Sequence, residues 1–390
     1  MRILILSFYF PPDLSAGSFR AKALVQALLD ADSELEVDVV TTLPNRYSSF
    51  SSEATADEKL PRVTIHRVAL PAHRSGMRDQ ARAFLTFMWR AIDFVHAKRY
   101  DLVFGTSSRL MTAALAAHVA RRLKAPLYLD IRDIFVDTIK DVLPRRLAKL
   151  AEPVFSRIER VVVRRAVNIN LVSKGFEPYF MNRYPNQSLT FFSNGVDDEF
   201  IEMPKTYREP IEGATLTVLY AGNIGEGQGL HNILPELALG MGTRVRFRVL
   251  GDGGRRAALE KAFAASGNSN VTILPPVKRD ELLKEYDAAD VLFLHLNDHD
   301  AFQKVLPSKL FEYAATGKPI WAGIAGYSAQ FARSQIKNIA IFAPCQASEA
   351  EAAFAGLRIG YTDRSEFIKK YKRSSIMKLM ALDVLNYMEN

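Results

Sequence analysis

The 390-residue chain is poor in cysteine, having only Cys345, so no disulfide can form within it. That fits a reducing compartment, and a lone cysteine reads as packing rather than as a nucleophile. No run of about 18 uninterrupted apolar residues exists, so no segment is expected to span a membrane. Internal repeats and low-complexity tracts are also lacking, which excludes solenoid and disordered classes. The apolar start, Met1-Arg2-Ile3-Leu4-Ile5-Leu6-Ser7, runs into Pro11-Pro12 without a small-residue cleavage site. It reads as a buried strand and not as a signal peptide. No Gly-x-Gly-x-x-Gly is followed by an acidic residue at the end of a second strand, which argues against a nicotinamide dinucleotide site.

What is present is globular, with 48% apolar and 24% charged residues. The formal net charge is +8, which favours anionic partners such as a nucleotide diphosphate or a lipid headgroup. The basic residues are not interleaved with aromatics and no reading module appears, so nucleic acid is not an expected partner. Short β-branched runs near positions 2–8, 36–42, 63–70, 101–105, 126–131 and 167–173 alternate with amphipathic stretches, the rhythm of a parallel sheet covered on both faces. The rhythm restarts after a polar stretch around Met203 to Gly213, with runs near 215–221, 245–251, 270–274, 290–296 and 319–322. The expected class is therefore α/β, two doubly wound Rossmann-like domains facing a central cleft. Their expected limits are 1–205 and 206–362, with C-terminal helices over 363–390 that fold back toward the first domain.

Two glycine loops follow strands of the second half: Gly222-Asn223-Ile224-Gly225-Glu226-Gly227-Gln228-Gly229, and Gly251-Asp252-Gly253-Gly254. Strand, glycine loop and helix aim backbone N–H groups at a phosphate, and a Cβ would block the anion's approach. A plain flexible turn is the alternative. The segment Leu306-Pro307-Ser308-Lys309-Leu310-Phe311-Glu312, ending at Gly317-Lys318-Pro319, reads as a short helix with Pro307 at its first position. Ser308 and Lys309 in its first turn suit a diphosphate, and Glu312 one turn on suits a ribose diol. A surface Lys309–Glu312 ion pair is the competing reading.

These segments together resemble the retaining GT-B glycosyltransferases of family 4, in particular the bacterial branch that builds surface polysaccharides from UDP-sugars. The resemblance rests on Ser7-Phe8-Tyr9-Phe10-Pro11-Pro12 through Gly17 and Arg20, Tyr128-Leu129-Asp130-Ile131-Arg132-Asp133, Asn194-Gly195-Val196-Asp197, the Gly222 loop, and Pro307 through Pro319. It implies transfer of a hexose or N-acetylamino sugar, with retention, from a UDP-sugar to a saccharide or lipid-linked acceptor. The nucleotide-sugar is then a substrate, and no metal or other cofactor is needed. Donor binding is assigned to Gly222, Asn223, Gly225, Gln228, Gly229, Gly251, Gly253, Leu306, Pro307, Ser308, Lys309 and Glu312. Acceptor binding is assigned to Gly17, Ser18 and Arg20, and catalytic roles to Asp133, Asp130 and Lys309.

Departures from the family pattern matter. Asn223 and Gln228 stand where many members carry an Arg and a Lys that clamp the diphosphate, so Lys309 is the expected cation. Lys304 stands where the first glutamate of Glu-x7-Glu would be, leaving Asp298, His299 or Asp300 as substitutes. Asp298-His299-Asp300 also mimics a metal-binding Asp-x-Asp, though that motif belongs to another architecture. His66, His73 and His118 read as structural or solvated. For Asp130 and Asp133, helix capping or pairing with Arg132 is the alternative. A sugar-nucleotide epimerase or a non-catalytic nucleotide-binding subunit would use a similar pocket. Pro144 to Ala166 holds seven Arg or Lys against two Glu, with Pro153 expected to break it into two helices. It reads either as a core-facing helix with a solvated basic face or as a surface for anionic lipid, making the protein cytoplasmic and peripheral at the inner membrane face.

Overall fold

The computed structural model describes residues 1–44, 54–71, 77–107, 109–134, 136–137, 145–203 and 213–388. His73, Pro144 and most of the expected linker between Met203 and Gly213 lie outside them. The chain divides into two compact units, Met1–Asn194 with Arg373–Asn390, and Gly195–Lys372.

The first unit runs β1 (Arg2–Leu6), α1 (Ala16–Ala31), β2 (Glu36–Thr42), β3 (Asp57–Leu60), β4 (Val63–Val68), α2 (Met77–Val95), β5 (Leu102–Ser107), α3 (Leu110–Leu123), β6 (Leu127–Ile131), α4 (Arg145–Arg165), β7 (Asn168–Leu171), α5 (Glu177–Arg183) and β8 (Leu189–Thr190). The sheet order is β3-β4-β2-β1-β5-β6-β7-β8, parallel except for β3. Buried on both faces, the central strands carry unbroken apolar runs such as Ile3-Leu4-Ile5-Leu6. The chain reverses direction across the sheet between β1 and β5, so right-handed crossovers put α1 on one face and α2, α3 and α4 on the other. Accordingly α3 packs against both α2 and α4.

The second unit contains α6 (Asp198–Glu202), β9 (Leu216–Asn223), α7 (Leu230–Met241), β10 (Val245–Asp252), α8 (Arg256–Ser266), β11 (Val271–Leu274), α9 (Arg279–Ala288), β12 (Val291–His295), α10 (Ser308–Thr316), β13 (Ile320–Gly323), α11 (Gly326–Gln335), β14 (Ile339–Phe342), α12 (Ala347–Phe354) and α13 (Ser365–Tyr371). Its strands are all parallel in the order β11-β10-β9-β12-β13-β14. Alternation along β9 sends Val218 and Tyr220 into one core and Leu219 and Ala221 into the other, as a sheet covered on both faces requires. Both units are Rossmann-like.

The expected limits need correction at both ends. The division falls after Asn194 and not after residue 205, because Val196, Phe200 and Met203 bury their side chains in a second-unit core. Residues 363–372 likewise stay with the second unit, where α13 packs Phe367 and Ile368 beside Phe311 and Phe331. Only the last helix, α14 (Arg373–Asn386), joins the first unit, burying Met377, Met380, Ala381 and Val384 against α1 and β1. Tyr128 anchors it by donating to Asp383 Oδ2 at 2.6 Å. Pro153 does not split α4, which is continuous from Arg145 to Arg165. Proline removes one backbone hydrogen bond, but Pro153 is exposed, so water can satisfy the carbonyl it leaves behind. Truncating Met377 to Ala should lower stability by about 2–5 kcal/mol; an unchanged urea midpoint would show that α14 does not hold the first core.

Candidate functional site

In an open parallel sheet the ligand edge is the carboxyl end, at the point where strand order reverses. In the second unit that point lies between β9 and β12, which are neighbours in the sheet but not in sequence. The Gly222 loop and the segment preceding α10 both leave the sheet there.

The Gly222 loop is built from its own amides. Asn223 Nδ2 donates to Gln228 Oε1 at 2.8 Å, and Gly225 N donates to the same oxygen at 3.3 Å. The two side chains assigned to the donor are therefore occupied in closing the loop. Gly229 has a φ of +57°, and a Cβ there would meet Asn297 at 2.7 Å, so only glycine fits. The second loop packs against the first. A Cβ on Gly251 would lie 1.8 Å from the Gly222 carbonyl and one on Gly253 2.6 Å from that of Ile224. Backbone approach between the loops is reason enough for glycine at both positions.

Behind the loop stand two residues that the sequence reading missed. Asn297 donates to the Glu226 carbonyl at 2.9 Å. His295, fully buried, contacts the Gln228 carbonyl through Nδ1 at 2.6 Å and accepts from Cys345 N at Nε2, 2.9 Å away. Those partners require the neutral ring with its proton on Nδ1, and burial pushes its pKa down to about 4. Their only sequence signal was their position at the end of an apolar strand. Of the suggested substitutes for the missing glutamate, Asp298 and Asp300 are exposed, and His299 lies 3.8 Å from Glu226. Among the described residues no cluster of three or more metal-ligating side chains occurs.

Helix α10 begins after Pro307, which is the cap residue and not the first helical one, and no side chain caps its first turn. Gly317, at φ +74°, ends it. Lys309 Nζ donates to Glu312 Oε2 at 2.8 Å and to Tyr286 Oη at 2.9 Å, while Tyr286 Oη donates to Glu312 Oε2 at 3.1 Å. The Lys309 side chain also reaches the Gly222 loop, its Cε lying 3.4 Å from where a Cβ on Gly222 would be. Glu312 is only 5% exposed, so this is no surface ion pair. Tyr286, wholly buried between Phe200 and Tyr313, has its pKa pushed well up, first by burial and then by Glu312. Leu306 is buried beneath the helix start, and Ser308 is half-buried in its first turn. The structure thus gathers Gly222, Ser308, Lys309 and Glu312 at one sheet edge.

In the first unit the assigned residues separate into two groups. Arg20 and Asp130 form a bidentate pair at 2.8 and 2.9 Å, each about 2% exposed. Asp130 also accepts from Asn170 Nδ2 at 2.7 Å, and Arg20 donates to the carbonyls of Phe192 and Ser193. Both side chains, expected in catalytic and acceptor-binding roles, are turned inward in the structure, where they brace the sheet. Asp133, by contrast, is exposed. Arg132, previously only a pairing partner, lies against Gly17, its Nε 3.6 Å from the position of a Cβ. Its Nη1 and the buried Ser18 Oγ have no hydrogen-bond partner among the described residues. Burial lowers the Arg132 pKa to about 10, with Asp130 opposing that shift.

Comparison with known proteins bears on the fold. Residues 18–195 match the glycosyl transferase 4-like domain family. WcaI of Escherichia coli (strain K12), named as a colanic acid biosynthesis glycosyl transferase, is 36% identical over 106 residues, covering 26% of this chain and 24% of that one. The alignment thus spans about a quarter of that relative's length. Among solved structures, sucrose-phosphate synthase from Thermosynechococcus elongatus superposes with a TM-score of 0.73 at 14% identity, covering 99% of this chain and 98% of the other. WaaG, a glycosyltransferase involved in lipopolysaccharide biosynthesis, gives 0.61 at 12% identity over 100% and 95% of the chains. Anabaena Alr3699/HepE in complex with UDP-glucose gives 0.61 at 14% over 100% and 97%. At these identities the likeness establishes the fold, which is that of GT-B glycosyltransferases.

His295 makes the loop acid-sensitive. Its folded-state pKa, about 4, lies below the usual 6.5, so falling pH protonates the unfolded chain first. Its contribution is complete above about pH 6.5 and is lost as pH drops toward 4. Stability should fall by roughly 2 kcal/mol between neutral pH and about pH 5. Urea midpoints at both pH values would test this, and a slope unchanged in His295→Gln would remove His295 as its source.

Proposed function

We propose that the protein is a retaining glycosyltransferase that takes a hexose or N-acetylamino sugar from a UDP-sugar. The acceptor is a saccharide or a lipid-linked saccharide in surface-polysaccharide synthesis. The observation that carries the reading is the Lys309–Glu312–Tyr286 cluster on the uncapped first turn of α10, beside the Gly222 loop. An uncapped helix N-terminus and an ammonium favour a diphosphate, and a carboxylate one turn later favours ribose hydroxyls. The HepE structure with UDP-glucose, on the same fold, supports that choice of donor.

A sugar nucleotide already has a good leaving group, so catalysis consists mainly of stabilising the departing diphosphate with preorganised N–H groups and a cation. Lys309 supplies that cation without need of a metal, and Glu312 and Tyr286 hold its ammonium in place while Glu312 engages the ribose. Gly222, Gly225 and Gly229 shape the loop that carries backbone N–H groups, and Asn223 with Gln228 stiffens it. On the acceptor side exposed Asp133 orients the incoming hydroxyl, with Arg132 and Ser18 beside Gly17. The Arg20–Asp130 pair holds the strand end from which these residues project.

Incubation with UDP-sugars and a saccharide acceptor, followed by product analysis, tests the reading. Glu312→Gln should lower transfer on the order of a hundredfold, with its melting curve checked against the parent. Full activity in that variant would remove Glu312 from the site, and epimerised donor without transfer would overturn the proposal.

A further inference from the structure

Helix α4 exposes the wrong residues for a solvated helix. Val162 and Val163 are buried as expected, but Leu147, Leu150, Val154 and Val161 are exposed by 48, 74, 58 and 63%. Spaced three, four and seven residues apart, they form one stripe along the outer side of the helix. The exposed polar residues among them are cations, Lys149, Arg157, Arg160 and Arg164. Glu159 is turned inward, accepting from Tyr179 and Tyr184 at 2.8 and 2.9 Å, and Glu152 is half-buried. Among its described side chains the outer face of α4 therefore carries no exposed carboxylate.

The pattern extends across the same side of the first unit. Helix α3, between α2 and α4, exposes Arg121 and Arg122. Helix α2 exposes Leu85 by 49% and Trp89 by 65%, flanked by Arg82 and Arg90, with one exposed carboxylate, Asp93, a turn beyond Trp89. An apolar stripe rimmed by arginines, with a tryptophan at its margin, suits the boundary between headgroups and acyl chains. Two copies facing each other through this side would set the same cationic rim against itself, which disfavours self-association. Nucleic acid would leave the leucines and valines without an apolar partner.

We infer that the face formed by α2, α3 and α4 docks on a bilayer bearing anionic headgroups. Trp89, Leu150 and Val154 enter the interfacial layer and Arg157, Arg160 and Arg164 engage lipid phosphates. This reading does not depend on the glycosyltransferase assignment and is tested without any activity measurement.

The full chain would be sedimented with phosphatidylcholine vesicles with and without phosphatidylglycerol, at low and high salt. Binding should require phosphatidylglycerol and weaken with salt. Replacing Arg157, Arg160 and Arg164 by Gln should lower partitioning about fivefold per side chain. Leu150→Ser with Val154→Ser should lower it at unchanged charge and, since both are exposed, at unchanged melting temperature. Trp89 gives an independent signal: Trp321, the other tryptophan, is fully buried. Emission should shift to the blue on phosphatidylglycerol vesicles and not in Trp89→Phe. The inference is overturned if no vesicle binds, if both α4 variants bind like the parent, or if the face instead drives dimerisation that the Leu150/Val154 variant abolishes.

Discussion

A carboxylate removed from water must be surrounded by donors or lose its charge, and Glu312 is the place where this chain meets that requirement. Lys309 and Tyr286 both donate to its Oε2, and Tyr286 is itself locked between aromatic rings. The arrangement ties α9, which carries Tyr286, to the first turn of α10, and through the Lys309 side chain it reaches the end of β9. Three elements distant in sequence thereby become one rigid edge. Preorganisation of this kind lets a cation act on a leaving group without first being reoriented.

The first unit uses an ion pair differently. Arg20 and Asp130 saturate one another and the carbonyls around them, so their charges are internal to the sheet edge. Arg132 and Asp133, two and three residues beyond Asp130, are not part of that pair. Along this short stretch the Arg20–Asp130 pair sets the backbone, Arg132 lies half-buried beside Gly17, and Asp133 meets solvent.

The excess of positive charge follows a similar division. The α2–α3–α4 side joins cations to exposed leucine, valine and tryptophan while its carboxylates are mostly turned in or only half-exposed. Helix α4 is long and strongly patterned, yet no described helix is long and apolar enough to cross a membrane. Its apolar stripe is bordered by Lys149, Arg157, Arg160 and Arg164, which suits a surface and not a bilayer interior.

Apolar periodicity alone determined the two parallel sheets, because strands buried on both faces need unbroken runs such as Ile3 to Leu6 and Val218 to Ala221. It missed β3, whose Asp-Glu-Lys-Leu is polar because it pairs only at an edge, and β14, a partly exposed edge strand. Local spacing likewise determined that Ser308, Lys309 and Glu312 share one helix face. Tertiary structure alone decided the rest. Asn223 with Gln228 and Arg20 with Asp130 each look like free polar groups in sequence until the fold makes them one another's partners. The need for glycine at 251 becomes visible only when the Gly222 carbonyl is seen packed against it, and α4 reads as facing inward through its valines and leucines until the neighbouring helices decide which of them are covered. Hydrogen bonding and burial are pairwise and long-range, whereas periodicity reports only the side of an element on which a residue lies.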